Sequence, residues 1–299
     1  MPTAQRAALD YAKEQGTFVA PMTLLLRNFP HGNWYTANSE EHYGIDADGQ
    51  FGPKGGHVVV TLHGGREGIG LLTPDIIELA YDMKRAEKGG MNEVYAAVLS
   101  DVYADKNVFA DLLHGGLPNG ESILVLPHVR LKNEGAPANF QRYASVRTLD
   151  LARQTDSGYK PIKRLTDKKG KITDSQVIAY AGGVPEGQRV IDNSKKAGYE
   201  NLGVWHPFNR ADFNPDVAHG RVLFVGYIDY DGLNGDYYLD NYGRFVGVKA
   251  AKPQVVREKL GKGNLVKPTL EEVLAVTAPF TAEMNQDALR KALSRLYQK

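Results

Sequence analysis

Sixteen consecutive residues, Tyr227 to Tyr242, have a composition that no ordinary folding requirement demands. They read Tyr-Ile-Asp-Tyr-Asp-Gly-Leu-Asn-Gly-Asp-Tyr-Tyr-Leu-Asp-Asn-Tyr. Five are Tyr, four Asp and two Asn, and none is Lys, Arg, Glu or Gln. A core would use Val, Leu and Phe; a solvated loop would use Lys, Glu and Ser. Tyr offers a large amphipathic contact area at low rotamer entropy, and Asn and Asp add hydrogen bonds. That is the chemistry of a recognition surface. A Tyr-rich sheet face or a barrel corner would give the same composition. The four aspartates, Asp229, Asp231, Asp236 and Asp240, also raise calcium. An EF-hand loop needs its Gly later than Gly232 stands and a bidentate Glu at the twelfth position, which is missing. No metal and no cofactor are expected.

The genetic code narrows the choice. Replacing an adenine in an Asn codon (AAC or AAT) gives Tyr or Asp at the first position and Ile at the second. Twelve positions fit an Asn-rich template edited at adenines: Tyr227, Ile228, Asp229, Tyr230, Asp231, Asn234, Asp236, Tyr237, Tyr238, Asp240, Asn241 and Tyr242. Gly232, Leu233, Gly235 and Leu239 read as fixed scaffold between them.

With these residues in view, the segment resembles the variable region of diversity-generating retroelement variable proteins. The stretch Gly203-Val204-Trp205-His206-Pro207-Phe208-Asn209, the lead-in Gly220-Arg221-Val222-Leu223-Phe224 and the closing Gly243-Arg244-Phe245-Val246-Gly247-Val248 are most similar to the archaeal branch of that group. The resemblance covers about residues 140–250. It implies a C-type lectin fold that presents adenine-mutagenised residues to solvent, and a ligand-binding protein that is not an enzyme. The ligand is then a protein or cell-surface molecule that differs with the variant. Trp205, Phe208, Phe224 and Phe245 would be the anchors of the scaffold. Two features depart from the family: about fifty residues follow the segment, and the Glu-Pro-Asn and Trp-Asn-Asp signatures of calcium-dependent sugar binding are absent.

Histidines supply the competing chemistry. His57 and His63 lie in one predicted strand, six residues apart and about 20 Å apart at 3.3 Å per residue, too far to share a metal. His63 and His114 each precede Gly-Gly. A His-Gly pair after a strand occurs in some ADP-ribosyltransferases, so the alternative is an ADP-ribosyltransferase-like or hydrolytic enzyme centred on His63 and His114. No Gly-x-Ser-x-Gly elbow, P-loop or His-Glu-x-x-His accompanies them.

These residues need elements to hold them. Helical spacing predicts helices over 3–15, after Thr73-Pro74 and over Val184 to Ala197; Thr269, Glu272, Leu289, Leu293 and Leu296 predict a helical tail. Val58 to Leu62, Ile123 to Val129 and Tyr143 to Leu151 read as strands, residues 28–56 as loops, and 203–248 as short strands with tight turns. Gly115-Gly116-Leu117-Pro118-Asn119-Gly120 resembles Gly182-Gly183-Val184-Pro185-Glu186-Gly187, as recurrent turn chemistry would. Residues 156–174 carry Lys160, Lys163, Arg164, Lys168, Lys169 and Lys171; interruption by Asp156, Asp167 and Asp174 favours a solvated loop over a surface for an anionic partner.

The expected class is α+β, with three parts. Residues 1–136 form an N-terminal α/β region of unassigned fold, 137–252 a C-type lectin-like ligand-binding domain, and 253–299 a helical extension. Lys and Arg number 36 against 35 Asp and Glu over 299 residues, a formal net charge of +1, so no nucleic-acid partner is expected. Cysteine is absent, which excludes disulfides and thiolate chemistry. Neither a signal peptide nor a membrane span is legible, so the expected location is cytoplasmic or particle-associated.

Overall fold

Helix ends and turns form where local chemistry satisfies the backbone. A computed structural model of the protein describes residues 2–28, 34–64, 71–75, 77–78, 82, 97–98, 106–137, 142–227, 232–236 and 244–249. In chain order the elements are α1 (Pro2–Glu14), β1 (Thr17–Val19), α2 (Met22–Asn28), β2 (Tyr35–Asp46), β3 (Gly56–His63), β4 (Ala97–Val98), α3 (Lys106–Leu113), β5 (Leu124–Pro127), α4 (His128–Glu134), β6 (Tyr143–Thr148), α5 (Leu149–Arg153), β7 (Gly158–Pro161), α6 (Ile162–Leu165), α7 (Ser175–Ala181), α8 (Val184–Lys196), β8 (Asn201–Trp205), β9 (His219–Val225), β10 (Leu233–Asn234) and β11 (Gly247–Lys249). Asp174 caps α7 by accepting from the Val177 amide, and Gly182 ends it at φ +80°. The two Gly-Gly motifs share this role of stopping a helix and then part. Gly115 leads into a tight turn that Leu117 and Glu121 close, whereas Gly183 leads straight into α8.

One sheet dominates, in the order β5-β6-β3-β2-β9-β10-β8-β7, with β4 also on β9. Its pairings are antiparallel except β5 with β6 and β10 with β8. β1 and β11 form a separate antiparallel pair. The class is α+β, as the sequence predicts. Helices α2, α7 and α8 share one hydrophobic cluster built on Leu25, Leu26, Ile178, Tyr180, Ile191, Val204 and Leu223. Val58, Val60, Leu62, Ala144 and Val146 bury the opposite face against Phe109, Leu112 and Leu113. Among the described residues, no helix is long and apolar enough to cross a membrane.

Two expectations change. Residues 28–56 contain β2, a twelve-residue strand at the centre of the sheet, where loops were expected. Its Asn38, Ser39, Glu40, Glu41 and His42 are all buried. Each is tied to a partner, so polar character does not signal exposure here. The Glu40 carboxylate accepts from the Leu71 and Leu72 amides and pairs with His42. Glu41 accepts from Arg147, Gln176 and Tyr180. Second, no unit boundary falls at 136–137. β3 pairs with β6 and β2 with β9 across that point, and residues 1–250 form one unit. The extension expected over 253–299 lies outside the described residues. The helix expected after Thr73 is helical at 74–75, 77–78 and 82, and the rest of it also lies outside them.

Candidate functional site

The middle of the Tyr-Asp-Asn segment is fixed by its own backbone. Leu233 and Asn234 insert between β9 and β8: Leu233 faces Val225 and Val204, and Asn234 faces Phe224 and Trp205. The Gly232 amide donates to the Tyr227 carbonyl and the Gly226 amide to the Gly232 carbonyl, both at 2.8 Å, so the ends of 228–231 are held together. On the other side the Gly235 amide donates to the Trp205 carbonyl at 3.0 Å. Only glycine fits at 232: φ is +51°, and a Cβ there would stand 1.9 Å from the Gly203 carbonyl oxygen. A Cβ at 235 would stand 2.4 Å from the Tyr180 hydroxyl.

Side chains lock the same five residues. The Asn234 carbonyl oxygen accepts from the Asp236 amide at 2.8 Å. The Asp236 carboxylate, 7% exposed, accepts from Arg221 at 2.6 Å and from Arg210 at 3.2 Å. Arg221 also donates to the Gly235 carbonyl at 3.1 Å, and Arg210 to Asp212 at 2.6 Å. The hydrogen bond to Asp212 is the largest influence holding the Arg210 guanidinium above its ordinary value, and the same bond holds Asp212 below the usual carboxylate range. Below this clamp, the Tyr180 hydroxyl donates to Glu41 at 2.9 Å. The chain leaving the segment is fixed again at Arg244, whose carbonyl accepts from Thr36 and whose amide donates to Trp34.

The predicted site residues therefore fall into three groups. Tyr227 is 50% exposed at the edge of the clamp. Asn234 is buried and the Asp236 carboxylate is turned inward onto the arginines, which corrects the expectation that these two side chains face solvent. Their short polar side chains satisfy backbone and guanidinium groups instead, the same chemistry that makes Asn and Asp common in turns. Ile228, Asp229, Tyr230, Asp231, Tyr237, Tyr238, Asp240, Asn241 and Tyr242 lie outside the described residues. Of the anchors, Phe224 is buried and stacks on Trp34 at 5.4 Å, and Phe208 is buried against Tyr43 and Phe213. Trp205 and Phe245 are only half-buried. No local pattern marks Arg210 and Arg221 as clamp residues, because the partner they share, Asp236, lies 26 and 15 residues away.

The histidines do not come together as a pocket. His63 is buried. Its Nδ1 sits 3.1 Å from the Ser39 hydroxyl, which itself accepts from the Met22 amide, and its Nε2 sits 3.0 Å from the Ala179 carbonyl. That pattern fixes a neutral ring with the proton on Nε2, and burial pushes its pKa down to about 4. Both nitrogens are engaged, so the ring bridges α2, β2, β3 and α7. His114 is exposed and pairs with Asp48 at 3.2 Å, beside a cleft lined by Asp111, Gly116, Leu117 and Ser122. Among the described residues, no group of three or more His, Asp or Glu is placed to hold a metal ion.

No family model and no curated protein matches the sequence. Among solved structures, the chain is similar to one described as "Accommodation of massive sequence variation in Nanoarchaeota by the C-type lectin fold", with 22% identity and a TM-score of 0.49, covering 83% of this chain and 91% of that one.

Proposed function

We propose that this chain is a ligand-binding protein, not an enzyme, whose recognition surface is carried by residues 227–231, 237, 238 and 240–242 and is diversified by adenine-directed mutagenesis in a diversity-generating retroelement. The observation that carries this reading is the clamp at 232–236. It is pinned by backbone pairing to two strands and by two arginines, and the residues on either side of it have the Tyr-Asp-Asn composition of a binding surface. Such an arrangement separates the two demands on a variable protein. Stability is placed in positions that cannot vary, and specificity in positions that can. A ligand met by this surface would be held by a few Tyr side chains acting as hot spots, with Asp and Asn fixing orientation. The C-type lectin-like character proposed for this scaffold rests on the sequence resemblance at 203–209, 220–224 and 243–248.

Sequencing the genomic locus in related isolates tests the mechanism. The expected result is a near-copy of the segment with Asn codons where this chain has Tyr or Asp, next to a reverse-transcriptase gene. Substitutions between isolates would concentrate at 227–231, 237, 238 and 240–242 and spare 232, 234, 235, 236 and 239. A locus without such a copy, with substitutions spread evenly over 203–248, would overturn the proposal.

A further inference from the structure

The lysine-rich stretch 160–171 was expected to be a neutralised, solvated loop because aspartates interrupt it. The fold does something else with those aspartates. Asp167 turns its carboxylate onto the Lys169 and Lys171 amides at 2.8 and 2.9 Å and so closes a tight turn. Asp174 caps α7 and accepts from Thr155. Only Asp156 meets a lysine, Lys160, at 3.8 Å. The turn is braced by the Thr166–Ile172 bridge and docked on α8, where Gln188 accepts from the Ile172 amide at 2.8 Å and donates to the Gly170 carbonyl at 3.1 Å. That docking brings Lys195, in the last turn of α8 with Lys196, alongside the turn; the Lys195 ammonium lies 3.4 Å from where a Cβ of Gly170 would be. Seven exposed cations thus stand on the turn or on the two helices that flank it, Lys163 and Arg164 on α6, Lys168, Lys169 and Lys171 on the turn, and Lys195 and Lys196 at the end of α8, and none forms an ion pair among the described residues. The acids nearby are Asp167, engaged in the turn, Asp192, hydrogen-bonded to Gln188, and the exposed Glu200.

We infer that this surface docks the protein onto an anionic phospholipid bilayer. Three features favour a headgroup plane over nucleic acid. Six of the seven cations are lysines, point charges suited to a diffuse layer of phosphates, and a fork-shaped guanidinium is present only once. Gln188, packed against the turn and of a type that could read an adenine edge, is fully used inside the fold. The cations stand on a turn, a single helical turn and a helix end, not in a groove that could track a strand. The sheet register adds a geometric consequence. β9 ends at Val225 beside Leu233, β10 runs parallel to β8, and β7 antiparallel to it, so Tyr227, Glu200 and α6 all leave the sheet at the same end. A bilayer bound by the lysines would lie near the 227–231 side of the proposed recognition surface. The docking itself does not depend on that proposal.

The test is co-sedimentation of the full chain with large unilamellar vesicles, either pure phosphatidylcholine or phosphatidylcholine with 30% phosphatidylglycerol, the test compositions chosen at about that fraction. Binding is expected to the anionic vesicles alone and to weaken from low salt to roughly 0.5 M, where the Debye length falls to a few ångströms. Near an anionic surface a lysine contributes about 1 kcal/mol, a factor of about five. K168Q/K169Q should therefore lose about thirtyfold in partition coefficient, and K168Q/K169Q/K171Q/K195Q/K196Q should lose detectable binding, both with unchanged Tm. K168R/K169R should retain binding. Equal binding to neutral vesicles, or retention by the five-lysine variant, overturns the inference. So does a lysine-dependent affinity for a short DNA duplex that exceeds vesicle affinity at 150 mM salt, which would reassign the surface to nucleic acid.

Discussion

Replacing Asp236 by Ala separates the clamp from the residues it carries. Asp236 and Arg221 are 7% and 9% exposed and 2.6 Å apart. Removing one partner of a buried ion pair leaves the other charge unpaired and costs about 3–5 kcal/mol. Two features place this case at the low end. Arg221 keeps its bond to the Gly235 carbonyl, and Arg210, 29% exposed, keeps Asp212. The expected loss is about 3 kcal/mol, which for a unit of this size is a fall in Tm of roughly 6–12 °C. Tyr227→Ala, at the edge of the same segment but half-exposed, should stay within about 0.5 kcal/mol. Urea denaturation followed by far-UV circular dichroism reads both variants on one scale. If Asp236→Ala unfolds at the wild-type midpoint, or Tyr227→Ala falls by as much as Asp236→Ala should, the division into fixed clamp and variable flanks is wrong.

Further consequences concern the same scaffold. Gly232→Ala forces a Cβ onto the Gly203 carbonyl at φ +51°, so it should destabilise by more than about 2 kcal/mol, and Gly235→Ala by less, because its nearest neighbour is a side-chain hydroxyl; thermal melts of the two variants rank them. Tyr180→Phe removes a donor to a buried carboxylate and should cost about 1.5–3 kcal/mol, measured by urea denaturation. His63 and His206 are buried with pKa values pushed down to about 4, and His219 to about 3, each chiefly by burial. Unfolding restores them to about 6.5, so the unfolded chain binds more protons in the interval between, and stability is full above about pH 6.5 and falls as pH drops toward 4. A Tm that stays flat from pH 7.5 to 4.5 contradicts this assignment.

What could be read in the sequence followed from local signals. α8 was legible because Pro185 starts it and Lys195, Lys196 and Gly198 end it in the expected order. β3 was legible as a run of branched apolar residues buried on both faces. β2 was not, because its Glu40 and Glu41 look like loop residues until their partners, Leu71, Arg147, Gln176 and Tyr180, are known. Those partners lie between 31 and 139 residues away, and nothing in the local pattern encodes them.

The same limit shaped the reading of residues 227–242. Asn234 and Asp236 share codons and chemistry with the residues around them, so composition placed them with the variable positions. Only three dimensions show that Asp236 answers two arginines and that Asn234 holds its amide. Mutagenesis confined to adenines would alter any Asn codon it reached, including those at 234 and 236. A template that keeps the clamp intact must therefore carry codons at these two sites whose adenine replacements are rare or are removed by selection for folding. At position 236 the pressure is strong: Tyr would bring a ring where two guanidinium groups need a carboxylate, and Asn would leave the buried Arg221 and the part-exposed Arg210 facing a neutral amide. Among expressed variants, Asp236 should then be close to invariant while Tyr227 is not. Deep sequencing of a library randomised at 227–242 and sorted for folded protein measures that contrast without knowledge of any ligand. Equal tolerance at 227 and 236 would show that the segment is variable throughout.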